Sequence, residues 1–284
     1  MKTGIKYQNN LELVVGCDRN NKTTTQHQYT TYPLRISFPF YLEGNNSTRA
    51  YHYLINTSPG LLAGDELNLS LQLKPNTNLY LTEQAATKVH PMPISDAKSV
   101  VNYQVIIGAN ASLELVSEPI ILYTDSVLEQ KTAIKLHPTA KLFLSEIILP
   151  GRLAKQEYYS FNYYLNRLRI TDLLEEVLLI DAARLTGKAN RFKNSSLFTS
   201  LPIMAKAIAI VPNINFDLLI EQIENISLSQ SYSIEAATAI LPSENGILIR
   251  ALGQKTSILK QYLTEVLNCM RSATNQSALP HIPK

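Results

Sequence analysis

Cysteine is almost absent from this 284-residue chain, since Cys17 and Cys269 stand alone near opposite ends. That excludes a disulfide framework and a structural zinc held by thiolates at CxxC spacing. Tryptophan is missing, and glycine numbers only 10. The histidines, His27, His52, His90, His137 and His281, show no HxH, HxxxH or HExxH spacing, so no preformed metal cage is written into the local sequence. Long apolar runs are lacking too. Residues 204–211 are interrupted by Lys206 and fall far short of the roughly 18 residues that a membrane span needs. The opening Met1-Lys2-Thr3-Gly4-Ile5-Lys6 has no apolar core of the kind a secretory signal carries, which makes the cytoplasm the expected location. Neither sign of charge dominates: 26 basic and 23 acidic residues leave +3, spread along the chain, which argues against nucleic acid as a partner.

What is present favours strands. Apolar residues make up 45% of the chain, enough for a sizeable core, and 15 tyrosines accompany abundant Leu, Ile, Thr and Ser. Alternation is strict from Glu66 to Leu73, where leucines at 67, 69, 71 and 73 share one face. Comparable runs occur at 11–15, 35–40, 50–56, 78–82, 100–107, 112–116, 132–136, 141–149 and 158–165. Hardly any helical period interrupts them before residue 181, so a mainly β body over about 1–181 is expected. A repeat sharpens this. Leu73-Lys-Pro-Asn-Thr-Asn-Leu-Tyr-Leu-Thr-Glu83 aligns without a gap on Leu136-His-Pro-Thr-Ala-Lys-Leu-Phe-Leu-Ser-Glu146, and between them lies a copy, Ile107 to Glu118, one residue longer. Each reads as strand, tight polar turn, strand. Stacked copies would bury a continuous core, a β-solenoid-like or stacked-hairpin body, although the irregular spacing equally suits a meander that reuses one hairpin recipe.

The character changes over about 200–272. Apolar residues at helical spacing predict two C-terminal helices, at 215–226 and 256–271, with a strand pair at 233–241 and 246–252 between them. Residues 275–284 read as a frayed tail. The whole, 1–284, is expected to be a single domain.

Few residues announce chemistry. The segment Ser58-Pro-Gly-Leu-Leu-Ala-Gly-Asp65 is glycine-rich but lacks a Lys-Ser/Thr ending and a following helix, so it is no phosphate loop. Asp65 is either a turn former bonded to its own backbone or part of a site. Glu83 and Glu146 share parity with Leu79, Leu81, Leu142 and Leu144, which places them on the inner face if those leucines are buried. Glu118 is out of phase unless its copy's extra residue is a bulge. Inner carboxylates need partners: either cations such as Lys88 and Arg152, or a polar interior route lined by oxygens. His90 is a lone histidine to watch. No nucleophile sits in a GxSxG elbow, and no catalytic constellation can be assembled, so a non-enzyme is expected.

Taken together, Pro33-Leu-Arg35, Ser58-Pro-Gly-Leu-Leu-Ala-Gly-Asp65 with its Pro59, Gly60 and Gly64, Thr82-Glu-Gln-Ala-Ala-Thr-Lys-Val-His90, Glu118-Pro-Ile-Ile121 and Glu146-Ile-Ile-Leu-Pro-Gly-Arg152 resemble the UreD (UreH) family of urease accessory proteins. Asp65, Gln84, Thr87, Lys88, Glu146, Gly151 and Arg152 match that family's pattern. Leu61, Ala63, Glu83 and His90-Pro91 depart from it. The resemblance implies a non-catalytic scaffold that binds UreF, reaches UreG through UreF, docks on apo-urease and assists nickel insertion. It implies no tightly bound cofactor and only transient nickel, for which Asp65, Glu118 and Glu146 are the candidate ligands along a conduit. Two other readings stay open on the residues alone. One is a carbohydrate-active β-solenoid enzyme using two of Asp65, Glu83, Glu118 and Glu146 as an acid/base pair, and the other is a plain interaction module whose interior acids are salt-bridged.

Overall fold

The structure, a computed structural model, describes residues 9–44, 47–190, 194–228 and 233–284; the polar opening 1–6 lies outside them. The chain is mainly β, and its strands form two sheets. The first runs β2 (Thr23–Thr30), β1 (Leu11–Cys17), β5 (Glu66–Leu73), β8 (Ser99–Ile107), β11 (Val127–Leu136), β13 (Tyr163–Thr171), β14 (Val177–Thr186). The second runs β3 (Leu34–Ile36), β4 (Ala50–Asn56), β6 (Asn78–Glu83), β9 (Ser112–Val116), β12 (Lys141–Leu149), β15 (Ile203–Ile210), β17 (Gly246–Gly253), β16 (Ile234–Ile240). A short side ladder joins β7 (Thr87–Val89) to β10 (Ile120–Leu122) and β10 to the end of β12.

The repeat explains the middle of both sheets. At each copy the chain leaves the first sheet, turns, and enters the second, so the two strands of a copy are not hydrogen-bonded to each other. They pair in parallel with the same strands of the next copy: Leu73 lies against Ile107 and Ile107 against Leu136, while Leu79 lies against Leu113 and Leu113 against Leu142. This corrects the hairpin part of the expectation. A hairpin would place both sets of leucines on one sheet, whereas the crossing turn sets them face to face and buries both. Asn76 and Asn110 take left-handed backbone at the turn (φ 64° and 56°), and Asn110 donates from its side chain to Asn76 Oδ1 at 3.2 Å.

Two cores result. One fills the space between the sheets; the other lies on the outer face of the second sheet beneath α2 (Phe216–Glu224) and α3 (Thr256–Ala273), while the short α1 (Ser196–Ser200) only leads into β15. Both helices begin and end within a few residues of their expected positions. Asn215 caps α2 by accepting from the amides of Asp217 and Leu218, and α3 buries Leu259, Leu263, Val266, Leu267 and Met270 at helical spacing. The strand pair β16–β17 also forms as expected. No helix is long and apolar enough to cross a membrane among the described residues.

Residues 275–284 differ from the frayed tail expected of them. Leu279 and Ile282 pack on the helix-side core, the Leu279 amide donates to Asn268 Oδ1 at 2.8 Å, and Tyr53 donates to the Pro283 carbonyl. Lys284 then bonds to Glu118, to Thr82 Oγ1 at 3.3 Å and to the Glu83 carbonyl at 3.2 Å. Apolar anchors and a carboxylate for the lysine outweigh the entropy of a loose end.

Candidate functional site

Glu146 lies on β12 with Leu142 and Ile148 on the inner face, as parity predicts, and is only 6% exposed. A charge there must be met by donors. Tyr164 donates to Oε1 at 2.5 Å, Asn166 reaches both oxygens at 2.9 and 2.7 Å, and Gln130 donates at 3.2 Å. Lys206 stands 3.5 Å away. The register makes this a row across three strands, Glu146 opposite Lys206 and Lys206 opposite Arg250, so one carboxylate stands beside two neighbouring cations that need a second acid. From the first sheet Asp181 completes the set, accepting from Lys206 and Arg250 at 2.8 Å each. Burial pulls the Lys206 ammonium down, but the Glu146 and Asp181 carboxylates more than offset this and leave its pKa raised. Burial likewise raises Asp181, and Lys206 and Arg250 turn the balance and hold it below the usual carboxylate range. These groups line a cleft of about 540 Å³ where β13 and β14 splay from β15, β17 and β16.

A second cavity, about 180 Å³, opens at the other side of the interior and is lined by Pro59, Gly60, Glu83, Gln84, Thr87, Lys88 and Tyr103. The glycine-rich loop belongs to its wall. Leu61 bridges to Val89, extending the side ladder by one rung. Gly60 is required there, for its φ is +147° and a Cβ would meet the Lys88 carbonyl at 2.4 Å. His90 bonds through Nε2 to the Pro59 carbonyl at 3.2 Å and packs edge-on against Tyr123, whose ring also carries the Arg152 guanidinium at 4.6 Å. Gly151 comes within 2.0 Å of the Glu157 carbonyl at its absent Cβ, which lets Arg152 fork onto the Glu157 carboxylate.

A few polar side chains stand between the two cavities in an otherwise leucine-rich core. Glu83 turns its carboxylate inward and accepts from the Glu118 amide at 2.7 Å, and burial pushes its pKa up to about 7. Tyr103 stands next. Burial holds its phenol well above the usual range, and both Glu83 and Glu146 add to the shift, so it lies within electrostatic reach of each. Thr132 neighbours Tyr103 on β11, and Gln130, one step along the same inner face, touches Glu146.

The structure brings Pro59, Gly60, Gln84, Thr87 and Lys88 to one cavity, and sets three other singled-out residues apart. Asp65 is a turn former: its carboxylate accepts from the Leu62 amide at 2.8 Å, and its amide donates back to the Leu62 carbonyl at 3.1 Å. Gly64, next to it, has φ +86° and open space around it. Glu118 is not on the inner face with Glu146. The extra residue of its copy follows β9, so the side chain points to the helix side, where Lys260 reaches both oxygens at 2.8 and 2.9 Å. Neither cation proposed for Glu146 serves it, because Lys88 is exposed and Arg152 is held by Glu157. None of the sequence motifs singles out Lys206, Asp181 or Arg250. A signal for Lys206 existed: a lysine inside the apolar run 203–211 is a buried charge seeking acids. Among the described residues no three His, Cys, Asp or Glu side chains are grouped to hold a metal ion.

Comparison with known proteins gives the same direction throughout. The family model described as UreD urease accessory protein matches residues 8–284. A urease accessory protein UreD from Trichodesmium erythraeum is 49% identical over 276 residues, covering 97% of this chain and 99% of that protein. A urease accessory protein UreD 2 from Brucella abortus is 25% identical over 279 residues, 95% of this chain and 90% of its own length. A urease accessory protein UreD from Bacillus cereus is 26% identical over 239 residues, 84% and 85% respectively.

Proposed function

The chain belongs to the UreD family of urease accessory proteins, and from that premise we propose that it is a non-catalytic scaffold which passes nickel toward the apo-urease active site. In this reading it acts in the cytoplasm as a single unit whose stacked, solenoid-like strands hold the route. It binds UreF, reaches UreG through UreF, and docks on apo-urease; neither nucleic acid nor a membrane is a partner. Nickel is cargo, with no cofactor bound tightly.

The observation that carries the reading is the set of interior polar groups Glu83, Tyr103, Glu146 and Asp181, with the Glu118 amide bonded to Glu83 at its helix-side end. A complete cage would retain a metal so high in the divalent affinity order, whereas isolated carboxylates and phenols bind weakly enough to release it. In this reading Glu146 is the interior carboxylate that nickel passes, Glu118 is a helix-side carboxylate that meets it, and Asp65 acts indirectly by fixing the loop near the 180 Å³ cavity. A carboxyl with a pKa of about 7, as at Glu83, can lose its proton when a cation arrives and regain it afterwards.

One observation favours a second reading, in which the interior acids serve only folding: Glu146 already receives bonds from Tyr164, Asn166 and Gln130. Reconstituted activation decides between them. Apo-urease, UreF, UreG, GTP, bicarbonate and nickel are mixed with wild-type chain, with Glu146→Gln, or with neither. Loss of activation on omission, and reduced activation with Glu146→Gln at unchanged melting temperature and UreF capture, support the conduit. Activation that is indifferent to the chain sinks the scaffold reading altogether.

A further inference from the structure

The two sheets are finished differently on their outer faces. The second is apolar outside and lies under α2 and α3. The first turns polar side chains outward, with Asn102 donating to Asn68 at 2.9 Å across two strands. Further along the same register row the residues become cationic: Lys131 of β11 is the neighbour of Arg167 of β13, and two positions on Ala133 is the neighbour of Arg169. All three cations are exposed, and none forms an ion pair among the described residues. The acids beside them are engaged elsewhere. Glu129 accepts from Lys98 at 2.9 Å and from Tyr163 at 3.0 Å, and Glu175 is held by Lys135. Like charges side by side on adjacent strands repel, so this arrangement works against the fold that carries it. Ile180 of β14, the register neighbour of Arg169, adds an apolar side chain that is 60% exposed. Arginine beside an exposed aliphatic group is the composition of a protein interface, whereas a phosphate backbone is met by polar and cationic donors and makes no use of the aliphatic group.

We propose that this face of the first sheet is the docking surface for an acidic protein partner, with Lys131, Arg167 and Arg169 supplying the charge complement and Ile180 the apolar contact. The surface is separate from the interior route and rests on the maturation reading only for the choice of probes. Apo-urease and UreF are each titrated against the wild-type chain, Lys131→Gln/Arg167→Gln/Arg169→Gln, and the charge-keeping Arg167→Lys/Arg169→Lys. The neutral triple variant is expected to melt close to wild type, since the repulsion it loses offsets the lost attraction of Lys131 for Glu129, yet to bind one of the two proteins at least tenfold more weakly at about 0.1 M salt, with a flatter salt dependence. The lysine variant should stay within a few-fold of wild type. Unchanged affinity of the triple variant for both proteins overturns the proposal, as does a wild-type chain that binds neither protein or prefers phosphatidylserine vesicles to both. A conduit that fails in the activation assay leaves this result untouched, so the two ideas fall separately.

Discussion

Glu146 holds more donors than an ion pair needs, and that makes its substitutions informative. Removing its charge in Glu146→Gln keeps a hydrogen-bonding side chain of the same size for Tyr164 and Asn166, while Glu146→Ala strands three donors and Lys206 at a position that is only 6% exposed. The expected cost of the alanine is about 3 to 5 kcal/mol, read as a lower urea midpoint, with the glutamine clearly less disruptive. Equal losses from both would mean that the charge itself holds the fold. Glu83 gives a pH signature. Its folded pKa of about 7 lies above the ordinary 4.5, so below 4.5 it contributes no penalty. Between 4.5 and 7 the unfolded chain ionises while the folded one stays protonated, and stability falls as pH rises. Urea melts at pH 5 and pH 8 should therefore show a smaller decline for Glu83→Gln than for wild type; an equal decline would remove burial as the cause. Of these positions, parity alone revealed the inner faces of Glu83 and Glu146. Asp181 and Arg250 escaped because their partners come from strands distant in sequence, which no local spacing records.

Elements were legible where one face is wet and the other dry. β5 alternates and was read to the residue, and α2 and α3 carry clear helical periods. β15 was missed because the second sheet is covered on both sides, so Ile-Met-Ala-Lys-Ala-Ile-Ala-Ile shows neither period. β2, Thr-Thr-Thr-Gln-His-Gln-Tyr-Thr, has too little apolar side chain to alternate. β13 starts at Tyr163, five residues past its expected beginning at 158, since Tyr159 takes left-handed backbone (φ 50°) and the chain is still turning. The attachment of α3 was equally invisible. Arg271, 0% exposed, forks onto Glu114 at 2.9 and 2.6 Å, and Arg49 approaches the same carboxylate at 3.2 Å. Deleting that carboxylate leaves two buried guanidiniums with Glu43 as their remaining carboxylate partner, at 3.4 Å from Arg49 and 3.1 Å from Arg271. Glu114→Gln should thus cost about 3 to 5 kcal/mol in urea denaturation and loosen α3 from the second sheet, visible as faster amide exchange along the helix. Protection unchanged from wild type would show that the apolar contacts of α3 suffice.

At the scale of the whole molecule, each sheet ends on an open edge at the same side of the cleft. Among the described residues β14 ends the first and β16 the second, and each leaves one side of its backbone without a strand partner beside the 540 Å³ opening. The turn into β14 carries Leu173, 47% exposed, and Leu174, 83% exposed, and Val177 at its start is 49% exposed. Open edges next to exposed leucines are a template for self-pairing unless a partner covers them. The isolated chain is therefore expected to self-associate at micromolar concentration, and UreF, if it covers this end, to return it to a defined complex by light scattering. Leu173→Lys/Leu174→Lys should shift the isolated chain toward monomer without lowering its melting temperature, because neither side chain supports the core. A wild-type chain that is monomeric alone at those concentrations would show that the edges are protected by their own twist and charge.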